Sequence, residues 1–352
     1  MGIVTPVYTT REAVKAAPEL KETARANAAV DDAIEAASRS VEGLLHRRFY
    51  PWTGTRYFDW PNSYSRTAGR LWLGGNELIS VTTFTTGNGA TTLTAGQYIL
   101  RRADDLDEPP YTHVEINRGT SAAFSSGTTT QRALAITGVF GHSAETAPAG
   151  ALAEALDASE TGVDVTDSAS IGVGQIIKVD SERMIVSEKS MITSGQTLQT
   201  PLTATAANET VAVTTGSAFF VGEVILLDSE RMLIVDIAGN NLTVKRGWDG
   251  STLATHTGST IYAPRSLTVV RGALGTTAAA HDTAAAITKH VVPGLVRELC
   301  EAEALVQLAQ RNAAYARVVG TGDNERESSG RGLAQIRKDA IAAYGRLRSG
   351  AI

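Results

Sequence analysis

Val173-Gly174-Gln175-Ile176-Ile177-Lys178-Val179-Asp180-Ser181-Glu182-Arg183-Met184-Ile185-Val186 returns 48 positions later as Val221-Gly222-Glu223-Val224-Ile225-Leu226-Leu227-Asp228-Ser229-Glu230-Arg231-Met232-Leu233-Ile234. Apolar runs on both sides of an Asp-Ser pair read as two short strands joined by a polar turn. A second element also occurs twice: Leu242-Thr243-Val244-Lys245-Arg246-Gly247 matches Leu267-Thr268-Val269-Val270-Arg271-Gly272. Each copy runs on through Gly250-Ser251-Thr252 or Gly275-Thr276-Thr277 to His256 or His281. The order is first, first, second, second. Tandem units would alternate, so this order predicts one small β-unit nested in another. The inner unit covers 201–265 and the outer one 160–200 with 266–289.

Charge marks out the same region. Residues 146–289 carry 9 basic and 15 acidic residues, a net −6, whereas the rest of the 352-residue chain carries +1. The shift in charge and composition predicts a domain at 146–289 inserted into one formed by 1–145 and 290–352. With 43% hydrophobic residues the chain has material for a sizeable core. The near-neutral balance disfavours a protein that coats nucleic acid. No apolar run is long enough to span a bilayer, and the N-terminus lacks a signal-peptide pattern, so no membrane association is expected. Cys300 is the only cysteine, which excludes an intrachain disulfide and a cysteine metal cluster.

The flanks change period. Val30, Ile34, Ala37, Val41, Leu44 and Leu45 recur at helical spacing, with Asp31, Asp32, Glu35, Arg39 and Glu42 assigned to the opposite face and Pro51 as the stop. A shorter helix is expected from Arg11 towards Ala28, broken near Pro18. Short strands follow at Arg56–Trp60, Arg70–Leu73, Leu78–Phe84, Tyr98–Leu100, His113–Ile116 and Ala133–Thr137. After Pro293 a helical stripe of Leu295, Leu299, Ala302, Val306 and Ala309 returns. A polar loop at 320–330 leads to a last helix with Leu333, Ile336, Ala340, Tyr344 and Leu347 on one face and Arg331, Arg337, Lys338, Arg346 and Arg348 on the other.

Asp180-Ser181-Glu182-Arg183 and Asp228-Ser229-Glu230-Arg231 invite a cation-site reading. Two carboxylates supply too few ligands for calcium, and a polar hairpin turn explains them better. His256 and His281 are read as capping or packing residues. Arg47-Arg48-Phe49-Tyr50-Pro51-Trp52 mixes charge with aromatics; it could stack nucleobases, but reads better as a helix end anchored on a sheet. No phosphate-binding loop, nucleophile elbow or metal-ligand spacing occurs. No catalytic, cofactor or metal residue is assigned, and the chain is not expected to be an enzyme.

Three stretches together carry a family likeness: the helix end Ala36-Ala37-Ser38-Arg39-Ser40-Val41-Glu42-Gly43-Leu44-Leu45-His46-Arg47-Arg48-Phe49-Tyr50-Pro51, the strand Ile136-Thr137-Gly138-Val139-Phe140-Gly141, and Val292-Pro293-Gly294-Leu295-Val296-Arg297-Glu298-Leu299. In this order they resemble the head–tail connector (head-to-tail adaptor) proteins of tailed bacteriophages, over residues 25–145 and 290–348. The family's usual chain passes almost directly from that strand to the Pro-led helix. Here residues 146–289 intervene, and the repeats in them are similar to small β-modules of phage structural proteins. The resemblance implies an α+β fold: a helical adaptor core with a small β-element, plus an inserted all-β domain of two nested repeats. It implies a ring of about twelve subunits under the portal, a portal protein and a next neck or tail protein (stopper or tail terminator) as partners, and double-stranded DNA passing without sequence-specific binding. The location implied is the virion neck, with the host cytoplasm during assembly. Arg331, Arg337, Lys338, Tyr344, Arg346, Leu347 and Arg348 are the implied portal-docking segment. An alternative is an accessory virion module whose repeats recognise host-surface glycan or another capsid protein.

Overall fold

A computed structural model describes residues 2–16, 27–61, 69–104, 106–207, 209–312, 318–319, 326–327 and 331–346. In chain order the elements are α1 (Arg11–Lys15), α2 (Asn27–Leu45), β1 (Trp52–Phe58), β2 (Arg70–Trp72), β3 (Leu78–Thr86), β4 (Thr91–Leu93), β5 (Tyr98–Arg101), β6 (His113–Ile116), β7 (Leu134–Phe140), β8 (Thr146–Ala151), β9 (Gly162–Asp164), β10 (Ile176–Val179), β11 (Glu182–Thr197), β12 (Thr210–Ala212), β13 (Val224–Leu227), β14 (Glu230–Ala238), β15 (Asn241–Lys245), β16 (Thr260–Val270), β17 (Ala286–His290), α3 (Gly294–Asn312), the short pair β18 (Val318–Val319) and β19 (Arg326–Glu327), and α4 (Arg331–Tyr344).

Residues 52–140 build two antiparallel sheets, ordered β1-β7-β3-β4 and β2-β6-β5, around a core of Leu71, Leu78, Phe84, Val114, Leu134 and Ile136. Residues 146–290 form one ten-stranded sheet along the path β12-β15-β14-β13-β16-β11-β10-β17-β8, with β9 paired to β16. The two repeat copies in it bury separate cores. One gathers Val163, Ile177, Val179, Met184, Val186, Leu267, Val269 and Ile287; the other gathers Val211, Ile225, Leu227, Met232, Ile234, Leu242, Val244 and Ile261. These are alternate residues of each strand, as a sheet with one face on its own core requires.

The helices form a single layer. Val30, Ile34, Ala37, Val41 and Leu45 of α2 are buried and Leu44 is half-buried. They meet Val296, Leu299, Cys300, Ala304 and Leu308 of α3, and Leu333 and Ala340 of α4. The same cluster includes Val173, Ile176, Ile185 and Ala273 of the first repeat copy. Asp31, assigned to the solvent face from its spacing, is instead buried on Arg11, with Nε–Oδ1 2.8 Å and Nη2–Oδ2 2.6 Å. α3 is rotated from the predicted stripe: Val296, Cys300 and Glu303 face inward, and Ala309 is exposed.

The expected helical adaptor core with an inserted domain is therefore not what forms. Among the described residues 36% lie in strands and 22% in four helices and short helical turns, with large antiparallel sheets dominating. One layer of helices cannot bury its own apolar stripes and needs a second layer. The outward face of the first repeat copy supplies it, so helices and repeat share one core. Backbone bonds reinforce the joint: Arg11 N–H donates to the Val173 carbonyl at 3.1 Å, and Val173 N–H donates to Glu12 Oε2 at 2.8 Å.

Candidate functional site

The charged residues Asp-Ser-Glu-Arg recur at equivalent places in both repeat copies. Asp180 and Asp228 open the β10–β11 and β13–β14 turns with φ of 48° and 51°, a left-handed conformation that aspartate tolerates. The register pairs Val179 with Glu182 and Leu227 with Glu230, directly beside each turn. Both glutamates point inward and are at most 1% exposed.

Each is fully surrounded by donors. Glu230 accepts from Arg246 Nε and Nη2 (2.6 and 2.7 Å), from the N–H groups of Gly247 and Ala254 (3.0 and 2.9 Å), and lies 3.0 Å from His256 Nε2. Glu182 repeats this with Arg271 (2.8 and 2.9 Å), Gly272 and Ala279 (2.8 and 3.0 Å) and His281 Nε2 (2.9 Å). The other ring nitrogen of each histidine meets the turn aspartate, at 2.7 Å in both copies. Gly247 and Gly272 take φ of 60° and 57°, which turns their N–H groups back onto the carboxylate. The arginines' other N–H groups end on carbonyls: Thr203 and Ala254 in one copy, Asp157, Glu160 and Ala279 in the other. Burial alone would raise the two glutamates; the arginine, the backbone N–H groups and the histidine outweigh it and hold each at about 2.

Such a carboxylate is ionised and has no oxygen lone pair left for a cation. These clusters clamp the strands of each unit together. The polar-turn reading fits Asp-Ser, but Glu182 and Glu230 are core residues, not turn residues. Arg183 and Arg231 leave the cluster altogether, for Thr53 Oγ1 at 2.7 Å and Asp249 Oδ2 at 2.6 Å. The partners missed by sequence reasoning are Arg246 and Arg271. The signal was present: each precedes a glycine at the same step of the second repeated element.

The C-terminal segment is less free than expected. α4 lays Leu333, Ile336, Ala340 and Tyr344 against the helical layer, and the Tyr344 ring meets Phe49 and His142 edge-on at 5.7 and 5.5 Å. Arg337 Nε donates to Glu303 Oε1 of α3 at 2.9 Å, and that carboxylate is 3% exposed. Arg346 donates to the Gly74 carbonyl at 2.8 Å and, from its backbone, to that of Leu45 at 3.2 Å. Lys338 is exposed, Arg331 opens the helix, and Leu347 and Arg348 lie outside the described residues, as does most of the 320–330 loop.

In the Arg47–Trp52 stretch Phe49 and Tyr50 are buried, so they are not available to stack bases. Trp52 lies under the Arg56 guanidinium, 4.0 Å from its ring centre.

A cleft of about 620 Å³ is lined by residues 7–16, the start of α3 and residues of both repeat copies. Its charges are largely paired. Arg11 holds Asp31 and Glu188, Lys15 and Arg231 share Asp249, and Lys189 Nζ donates to the carbonyls of Ser168 and Ile171 at 3.0 and 2.6 Å. Burial lowers the Lys189 ammonium, against the opposing pull of Glu12, Glu223 and Asp167. Among the described residues no group of three or more His, Cys, Asp or Glu side chains is placed to hold a metal ion, and no helix is long and apolar enough to cross a membrane. No family model matches the chain, and neither a curated protein nor a solved structure matches it.

Proposed function

We propose that this protein is a structural virion component, a head-to-tail adaptor that forms a ring of about twelve subunits under the portal. It would extend the DNA channel and join the DNA-filled capsid to the next neck or tail protein. One observation carries the reading: Phe49, in the first of the three stretches behind the family resemblance, is contacted by His142 and His290, which lie just beyond the second and just before the third.

β1, which follows the α2 end, pairs with β7 from Trp52↔Phe140 to Phe58↔Leu134. His142 N–H donates to the Arg48 carbonyl at 3.1 Å, and the Phe49 and His142 rings meet at 5.2 Å. His290 Nε2, three residues before Pro293, reaches the Phe49 carbonyl at 2.8 Å. The likeness thus follows one connected three-dimensional unit, although that unit is β-rich and shares its core with the first repeat copy. The buried Glu182–Arg271 and Glu230–Arg246 pairs support a scaffold role, because each is consumed in holding its own repeat unit together.

The test is disruption of the gene in its phage, with the lysate viewed by negative-stain electron microscopy. DNA-filled or leaking heads beside separate finished tails are expected. Normal joined particles would overturn the reading.

A further inference from the structure

The sheet β2-β6-β5 turns one face to the core of residues 52–140 and the other outward. Its register sets two rows across the outward face: Arg70, Glu115 and Ile99 in one, and Trp72, His113 and Arg101 in the other. Alternation sends Leu71, Val114 and Leu100 to the core side. Trp72 is 55% exposed and Ile99 37%. The indole lies over the His113 ring, with centres 4.4 Å apart and planes 36° from parallel, and His113 is buried. His113 Nδ1 is 3.2 Å from Thr112 Oγ1. Beside the indole, Arg70 Nε donates to Glu115 Oε1 at 2.7 Å, and Arg101 Nε lies 3.7 Å from Glu115 Oε2. Both guanidiniums stay half-buried, with the Arg70 Cζ 5.6 Å from the Trp72 ring centre. An indole this open buries little of its own area in the fold, and with a rim of fixed polar groups it marks a binding surface.

We propose that this face binds a neutral oligosaccharide, with Trp72 as the stacking platform and Arg70, Arg101 and Glu115 as hydrogen-bonding partners of the sugar hydroxyls. A pyranose ring has an apolar C–H face, which suits an open indole. Its belt of hydroxyls suits donors and an acceptor set around that indole. The charge balance selects a neutral ligand. Arg70 and Arg101 are offset by Glu115 and by Asp107, whose Oδ1 is 3.4 Å from Arg101 Nη1, and the central carboxylate repels a phosphate or an acidic sugar. Trp72 and Ile99 are the exposed apolar residues of these rows, too few for the hydrophobic centre of a protein interface. The bonds among the polar side chains hold them in place before a ligand arrives, which lowers the cost of ordering them. From β2 to β5 the face is roughly 10 Å across, two strand spacings, and it fits a short stretch of sugar chain laid on the surface. It lies outside the repeats, where the alternative reading placed glycan recognition, and it does not depend on ring assembly.

A printed array of neutral and acidic oligosaccharides, with oligodeoxythymidylate spotted beside them, tests this on the full chain. Wild type is compared with Trp72→Ala, Trp72→Tyr, Arg101→Ala and a control, Tyr57→Ala. The Tyr57 ring is 52% exposed on the neighbouring sheet, with the Arg132 Cζ 4.1 Å from its centre. Wild type should be retained on a subset of the neutral glycans. Trp72→Ala should bind these at least about tenfold more weakly, Trp72→Tyr should recover most of the loss, and Tyr57→Ala should match wild type. Arg101→Ala, which leaves the indole in place, should weaken binding to the same glycans. All variants should keep the thermal melting of the wild type. A wild type retained by no neutral glycan, or Trp72→Ala and Arg101→Ala retained as well as wild type, would overturn the proposal. So would a preference for acidic glycans or for oligodeoxythymidylate that falls with Trp72→Ala, which would give the platform to an anionic ligand.

Discussion

Glu230→Gln tests the clamp in the second repeat copy. The substitution keeps shape and removes one charge. Arg246 then loses its counter-charge, and one of its two acceptor oxygens, inside a site where the glutamate and arginine side chains are each 0% exposed. A glutamine has one acceptor oxygen and brings its own N–H₂ against donors, so several of the five donors around residue 230 lose their acceptor. Breaking a buried charge pair from one side costs about 3–5 kcal/mol. Linkage reaches a similar size: a carboxylate held at about 2 against an ordinary 4.5 contributes about 3 kcal/mol at neutral pH. The second copy has its own core, so the loss should concentrate there. Native-state hydrogen exchange reads it directly. Amides of Ile225, Met232 and Val244 should exchange about a hundredfold faster or more, since each 1.4 kcal/mol is tenfold. Ile177, Met184 and Val269 of the first copy should change far less. A change under tenfold in the second copy, or an equal change in both, would refute the reasoning.

Acid should weaken both clamps together. Glu182 and Glu230 sit below their unfolded values, so their stabilisation is complete above about pH 5 and lost as pH falls towards 2; urea midpoints measured from pH 6 to pH 3 should fall only below pH 5. Gly275→Ala and Gly250→Ala form a matched pair at φ of 79° and 75°. A Cβ at Gly275 would run into the Thr53 carbonyl, whereas one at Gly250 meets nothing. Urea titration should therefore show about 1 kcal/mol lost at Gly250 and at least about twice that at Gly275. Arg337→Ala should leave the buried Glu303 carboxylate without its α4 partner, costing about 1–3 kcal/mol and speeding limited proteolysis at α4 while the sheet amides keep their protection.

Much of the local structure was legible because it rests on short-range patterns. The α2 stripe from Val30 to Leu45 follows the helical period. The strands at 70–72, 98–101 and 113–116 follow alternation and turn chemistry. The pairing of Asp-Ser-Glu with Arg-Gly and His was half legible: the recurrence pointed to these residues, but only folding brings Glu182 to Arg271 across 89 positions. The burial of Asp31 and the rotation of α3 escaped the pattern because each depends on a partner remote in sequence, Arg11 in one case and α2 with α4 in the other.

By itself the sequence determined the repeats, their order, the periods of the elements and the residue types around each glutamate, all properties of neighbours along the chain. Only the tertiary structure decided the balance of the fold. A single helical layer cannot bury both of its sides, so it closed on the first repeat copy and made one core where a helical core and a separate insert were expected. The same packing covered Val173 and left Val221 open. That contrast is set by what lies over two near-identical sheets, which no local pattern encodes.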